Sequence, residues 1–130
     1  MLYAADVRDW LKRLIAADHF YIGLIDNKHD KSVGVYPLSQ SGYPVRGIGQ
    51  DTTYDEFAVS VLIHWTKNAN ETERAARALF ETLRTIKNAS INGHRVYLID
   101  LLTPAPVSVG TDDKGVFEQV IEFQITYERK

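Results

Sequence analysis

The sequence contains no cysteine. A chain without thiols has no disulfide framework, no thiolate metal ligand and no cysteine nucleophile. An excess of one charge is also missing, since the formal net charge is −2 at pH 7 and both signs are spread along the chain. Because nucleic-acid binding relies on clustered Lys and Arg that neutralise phosphates, we expect no sequence-specific binding of DNA or RNA.

Long hydrophobic runs are absent as well. The longest, FAVSVLI at 57–63 and VYLIDLL at 96–102, each include a polar residue. Both are far shorter than the roughly 20 apolar residues that cross a bilayer. The first ten residues, MLYAADVRDW, lack the basic lead and apolar core of a signal peptide. We therefore expect a soluble protein inside the cell, without a membrane partner.

The length of 130 residues suits one domain, 1–130, with two helices. In 6–17 the apolar residues recur at helical spacing, and Asp6 is the predicted N-cap. The second helix is predicted over 71–87, where Asn70 three residues before Glu73 resembles a capping box. The core is predicted to contain the following residues: Trp10, Leu14, Phe57, Val61, Leu79, Phe80, Leu83 and Ile121.

Strands account for most of the remaining chain. Two short ones, FYIGLI at 20–25 and SVGVYP at 32–37, precede a strongly alternating strand that begins near Tyr54. The segment 95–103 is apolar on both faces, which indicates the interior of a sheet or an interface. The last strand, from Val116, alternates again. The pattern predicts an α+β fold, a mainly antiparallel sheet with both helices on one face, in the order α-β-β-β-α-β-β.

The segment 38–53, LSQSGYPVRGIGQDTT, has three glycines, one proline and no hydrophobic period. Such a stretch predicts a long loop or arm, and loops of this length in small domains commonly carry function. We predict an assembly contact here, made by Tyr43, Arg46 and Ile48.

The stretch VGTDDKGVF at 109–117 pairs two adjacent aspartates with a lysine and a glycine. A helix-loop-helix calcium site needs further oxygen ligands at alternate positions and a distant glutamate, and these are missing. Asp side chains that bond local N–H groups, followed by Gly, are typical of a tight turn. We interpret the stretch as the tip of a hairpin.

Other candidate chemistry also fails on spacing. The four histidines, His19, His29, His64 and His94, show neither HxH nor HExxH spacing, so no metal site is predicted. Ser60 and His64 lie four residues apart on one strand, about 13 Å from each other by strand rise, which excludes a triad with Asp100. GIGQD lacks the pattern of a nucleotide-binding loop. We predict no cofactor and no enzymatic activity.

Two stretches carry a family resemblance: YDEFAVSVLIHWTKNANETERAA at 54–76 and PAPVSVGTDDKGVFEQVIEFQITYER at 104–129. Together they resemble minor capsid proteins of long-tailed bacteriophages and of prophages of Gram-positive bacteria, and look like tail-terminator, or tail-completion, proteins. The resemblance implies an α+β domain that forms a hexameric ring on the end of the tail tube, stops its polymerisation and joins it to the head. The implied partners are further copies of the chain, the tail-tube protein and a head-completion or connector protein. The implied location is the host bacterial cytoplasm during assembly and then the head–tail junction of the virion.

A ring around the path of DNA suggests a role for four carboxylates. Asp112, Asp113, Glu118 and Glu122 are candidates to line the opening, where negative charge would keep phosphates from sticking. An ordinary solvated strand face with a turn explains the same residues. Two other functions stay open at this point: a head-completion protein on the portal side, and a small enzyme or ligand-binding domain whose site is remote in sequence.

Overall fold

A computed structural model describes residues 1–26, 28–38 and 54–129. Its fold is α+β, with two helices and a mostly antiparallel sheet of seven strands, as predicted. Two short strands, β4 and β6, add to the predicted element order. The elements are α1 (Ala4–Leu11), β1 (His19–Ile22), β2 (Ser32–Pro37), β3 (Tyr54–His64), α2 (Ala69–Thr85), β4 (Ser90–Ile91), β5 (His94–Leu101), β6 (Val107–Thr111) and β7 (Phe117–Glu128).

The sheet is built around the two longest strands, β3 and β7, which pair antiparallel from Tyr54↔Glu128 to His64↔Glu118. The strand order is β1-β2-β3-β7-β5-β4, and β6 also pairs with β7. Since β3 occupies one side of β7, β5 and β6 lie one after the other along its second side. The two predicted short strands, β1 and β2, do pair, and they run parallel. Within the described residues, the sheet therefore ends at β1 on one side, and on the other side at β4, at the part of β5 beyond β4, and at β6.

Both helices pack on the same face of the sheet, as predicted. Val7, Trp10 and Leu11 of α1 and Leu79, Phe80 and Leu83 of α2 join one buried cluster with the inward residues of the central strands. Those inward residues alternate, as on any strand with one covered face: Val33, Val35, Val59, Val61, Ile63, Ile121, Phe123 and Ile125. Leu14 and Phe57 are only partly buried, at the border of this cluster. The opposite face of the sheet is free of helices in the described residues.

Helix α1 is shorter than predicted. It begins at Ala4 and ends at Leu11. Beyond Leu11 the backbone hydrogen bonds include one that spans three residues, in which Leu14 N donates to Leu11 O. Tyr3 is the N-cap residue, so the prediction of Asp6 as the N-cap is wrong. Asp6 is the third helical residue, and its carboxylate accepts the backbone N–H of Tyr3 at 2.9 Å. The Asp6 side chain therefore accepts the backbone N–H of the N-cap residue from a position inside the helix.

The cap of α2 is also displaced from its predicted position. Asn68 is the N-cap, and its side-chain oxygen accepts the N–H of Glu71 at 3.0 Å. Asn70 lies inside the first turn, and Glu73 instead pairs with Arg77 along the exposed helix surface. Within the described residues, neither helix has the length and apolar character that a bilayer crossing requires.

Candidate functional site

The helix-free face of the sheet is a mixed polar and apolar layer. It is formed by alternate residues of the central pair, where Leu62 lies opposite Val120, Ser60 opposite Glu122, and His64 opposite Glu118. Most of these side chains are half-buried. This face contains Glu118 and Glu122, two of the four carboxylates predicted to line a channel.

The stretch VGTDDKGVF forms the β6–β7 hairpin, with its turn at 112–115. Gly115 N donates to Asp112 O, and Asp112 N donates to Val116 O. The Asp112 carboxylate accepts the backbone N–H groups of Lys114 and Val116, both at 2.9 Å. Gly115 has a φ of 84°, which glycine adopts readily. The interpretation as a hairpin tip is confirmed.

His64 joins this tip to the sheet. It is fully buried, and its Nδ1 lies 2.9 Å from Oε2 of Glu118. Its Nε2 lies 3.7 Å from Oδ2 of Asp112, and among the residues that the structure describes neither of these two atoms has a hydrogen-bond partner. The sequence contains no signal for this contact, because it depends on the register of β3 on β7 and on the fold of the turn.

Burial and nearby charge shift the pKa of Asp112, which lies near His64, and that of Tyr36 on β2. Burial of the Asp112 carboxyl opposes ionisation, but the N–H groups of Val116 and Lys114, with the charges of His64 and Lys114, hold its pKa below the ordinary value. Burial raises the pKa of the Tyr36 hydroxyl, and the charge of Glu118 adds to the effect. The Tyr36 hydroxyl therefore stays neutral.

The other candidate chemical groups lie in separate parts of the fold, except that His19 and His29 are in contact. Asp100 lies opposite Gln124, far along β7 from Glu118, so Ser60, His64 and Asp100 do not meet. The rings of His19 and His29 stack at 4.2 Å, and His94 Nδ1 contacts the backbone oxygen of Glu128 at 2.9 Å. In the described part of the chain, no group of three or more His, Asp or Glu side chains has the geometry of a metal site.

Two exposed apolar patches lie at opposite edges of the sheet. The β1-edge patch consists of Ile22 and Leu24, and Leu24 is 90% exposed. The β5–β6 patch consists of Tyr97, Leu98, Leu102, Val107 and Val109. Exposed apolar residues beside unpaired strand edges are candidates for a contact surface. Leu24 and Leu102 follow β1 and β5, and the other residues of the patches lie on β1, β5 and β6, whose outer edges are largely unpaired in the described structure.

A family model described as "Bacteriophage tail terminator protein" matches residues 1–129. The chain belongs to this family. A search of curated proteins found no match. Family membership confirms the resemblance given above and makes the protein a structural component of a bacteriophage, located in the virion.

The four residues predicted to line a channel differ in the exposure of their side chains. Asp113 is exposed and Glu122 is half-buried. The side chains of Asp112 and Glu118 are 7% and 17% exposed, and both face His64. The channel role of all four stays a prediction, since it concerns the assembled oligomer.

The predicted assembly contacts Tyr43, Arg46 and Ile48 lie outside the described residues, as does the predicted arm 38–53 apart from Leu38.

Proposed function

We propose that this protein ends the tail as a ring of identical subunits, stops the growth of the tail tube and provides the surface that the head joins. Its partners are further copies of itself, the tail-tube protein and a connector protein of the head. Assembly takes place in the host cytoplasm, and the ring then stays at the head–tail junction. The observation that carries this proposal is the match to the tail terminator family over residues 1–129.

The two apolar patches support a ring. They differ in size and composition and lie on opposite edges of one sheet. A subunit that contacts its neighbour through two different patches forms a head-to-tail interface, and such interfaces close into rings when the rotation between subunits allows it. We infer that the β1-edge patch of one subunit docks on the β5–β6 patch of the next.

The alternatives from the sequence are less well supported. A head-completion protein would occupy the portal side of the junction, whereas the matched family is one of tail terminators. A catalytic or ligand-binding role for His64 conflicts with its complete burial, since no substrate reaches its ring. Of the four carboxylates proposed to line a channel, Asp113 and Glu122 are the better candidates, because Asp112 and Glu118 face His64 within the subunit.

Electron microscopy of tails assembled with and without the protein tests the proposal. We expect tails of uniform length, joined to heads, in its presence. In its absence we expect overlong tubes and free heads. Uniform tails without the protein would contradict tail termination, and its position on the portal side of the junction would favour the head-completion alternative.

A further inference from the structure

Two strands at opposite ends of the sheet have outer backbone groups without a partner strand among the residues that the structure describes. They are β1, with four residues, and β6, with five. Neither strand contains Lys, Arg, Asp, Glu or Pro, the residues that commonly keep an edge strand from pairing with another chain. β6 has one bulge, between Ser108 and Gly110. Edges of this kind can accept a further strand through main-chain hydrogen bonds.

On β1 the outward backbone groups belong to Phe20 and Ile22. Gly23 N, just after the strand, donates to Val35 O at 2.8 Å. The residues that bond to the neighbouring strand alternate along a parallel pair, so Tyr21 also bonds to β2. The N–H and C=O groups of Phe20 and Ile22 therefore point away from the sheet.

On β6 the outward backbone groups belong to Ser108 and Thr111. Phe117, which lies opposite Thr111, directs its N–H and C=O to the other side, where they bond to the chain that follows β3. Because this direction alternates along an antiparallel pair, Gln119 also bonds on the β3 side. Its partner Ser108, like Thr111, therefore directs its N–H and C=O away from β7.

β1 and β6 lie at the same height along the sheet. One row of paired residues crosses it through His19, Ser32, His64, Glu118 and Gly110. A second row passes through Tyr21, Gly34, Leu62, Val120 and Val107. The two strands also run in opposite directions, because β1 is parallel to β2 and the three further steps, through β3 and β7 to β6, are each antiparallel.

We propose that β1 of each subunit pairs antiparallel with β6 of the next, so that the sheets of all subunits join into one continuous sheet. This inference rests on the ring proposed above. Subunits related by a closed rotation have no rise between them, so the joined edges must lie at the same height, as β1 and β6 do. The rotation also keeps the strand direction of each subunit, so the two edges meet antiparallel, the more stable arrangement.

The pairing accounts for the exposure of β6. All five of its residues are exposed in the single subunit, and it pairs with β7 on one side only. A neighbouring β1 gives the outward groups of Ser108 and Thr111 hydrogen-bond partners. It also brings Ile22, which is 44% exposed, beside the exposed Val107 and Val109.

Hydrogen exchange of the wild type, measured by fragmentation mass spectrometry on the free subunit and on assembled tails, locates the pairing. On assembly we expect the outward amides of β1 and β6 to exchange at least about tenfold more slowly. These are the amides of Phe20, Ile22, Ser108 and Thr111. Unchanged exchange at all four, in tails of uniform length, would overturn the strand pairing and leave the ring standing.

The outer edge of β5 is the matched control. Ile99 and Leu101 lie opposite Ile125 and Phe123 of β7, and by the same alternation their backbone groups point outward, but at a different height from β1. Their exchange should not change on assembly. Protection of these two amides without protection of β6 would place the contact on β5 and overturn the pairing with β6.

Ser108→Pro tests the backbone contact by mutation. Proline lacks the outward N–H, and an edge strand accepts it where that N–H is free, so the free subunit should fold, as circular dichroism checks. We expect the yield of tails of uniform length to fall about tenfold. Ser108→Ala keeps the N–H and should stay within about twofold of the wild type.

Each contrary result of this mutation has its own meaning. A wild-type yield for Ser108→Pro would refute the strand pairing alone. An unfolded free subunit would show that the Ser108 N–H bonds within the subunit, which also refutes the pairing. Overlong tails made with the wild type would instead refute the tail-terminating ring.

Discussion

At Gly34 a neighbouring side chain, and not the backbone conformation, leaves no space for a larger residue. A Cβ atom placed there would lie 2.7 Å from Cγ1 and 2.9 Å from Cδ1 of Ile25, which is buried over the helix-free face of β2. Gly34→Ala should therefore destabilise the protein by about 1 to 3 kcal/mol, as overpacking does in cores.

Denaturant unfolding of a double-mutant cycle checks this explanation. Ile25→Ala removes both clashing carbons, so Gly34→Ala should cost much less in that background than in the wild type. An equal cost in both backgrounds would show that the destabilisation has another origin.

The two adjacent aspartates of the hairpin differ in burial, since the side chain of Asp112 is largely buried and Asp113 is exposed. The pKa of Asp112 is depressed in the folded state, so its ionisation stabilises the fold above the unfolded pKa of about 3.9. This contribution is lost as the pH falls through the lower, folded pKa. Asp112→Asn should therefore reduce the free energy of unfolding by about 1 to 2 kcal/mol at pH 7, and the deficit should shrink in acid.

Asp113→Asn is the matched control, since this neighbour is exposed. Urea unfolding from pH 7 to pH 3 measures both variants. A deficit of Asp112→Asn that stays constant over this range would mean that charge is not responsible.

Among the elements, α2 begins at a cap that only the structure identifies. Asn68→Ala removes the side-chain oxygen that accepts Glu71 N–H and should cost about 1 kcal/mol. Asn70→Ala alters an exposed residue in the first turn and should stay within about 0.5 kcal/mol. Thermal unfolding of the two variants compares the observed cap with the predicted one, and the reverse order of effects would favour Asn70.

The buried stripe of α2 allows a second comparison on the same turn. Leu83 is 1% exposed in the core, whereas Arg84 lies on the surface and pairs with Glu81. Leu83→Ala should cost about 2 to 5 kcal/mol, and Arg84→Ala less than about 0.5 kcal/mol. Similar melting temperatures for the two variants would show that the stripe is misassigned.

Hydrophobic periodicity predicted which face of each helix is buried, because burial depends on a repeat that many residues share. The N-cap of α2 was not predicted correctly, because the run NAN at 68–70 contains two asparagines and only the backbone geometry selects Asn68. Segment 95–103 was interpreted as interior to the sheet or at an interface. In the strand order β5 does lie between β7 and β4, but β4 pairs with only its first two residues, and Tyr97 and Leu98 are exposed.

Residue contacts across the molecule were harder to predict than elements. VGTDDKGVF was interpreted correctly as a hairpin tip because local turn chemistry determines it. The meeting of His64 with Glu118 and Asp112 depends on an eleven-pair register between β3 and β7, and a shift of one residue would turn every side chain to the other face. A single sequence carries no such information.

At the scale of the whole molecule, the head-to-tail contact is the feature to test, and the absence of native cysteine makes crosslinking specific. Leu24→Cys marks the β1-edge patch and Val109→Cys the β5–β6 patch. With a short bis-maleimide and assembled tails, the mixture of the two single variants should give crosslinked dimers, because each supplies one half of the contact. The double variant should give a ladder that ends at the subunit number of the ring.

Either single variant alone should stay uncrosslinked, since its cysteines never face each other in a head-to-tail ring. Arg84→Cys mixed with Val109→Cys is the control, because Arg84 is also exposed but lies on α2, on the helix-covered face of the sheet and away from the β1-edge patch. Crosslinked dimers of Leu24→Cys alone, or of Val109→Cys alone, would indicate a self-complementary interface that pairs identical patches. That result would leave tail termination standing and would reject the proposed docking of the β1-edge patch on the β5–β6 patch.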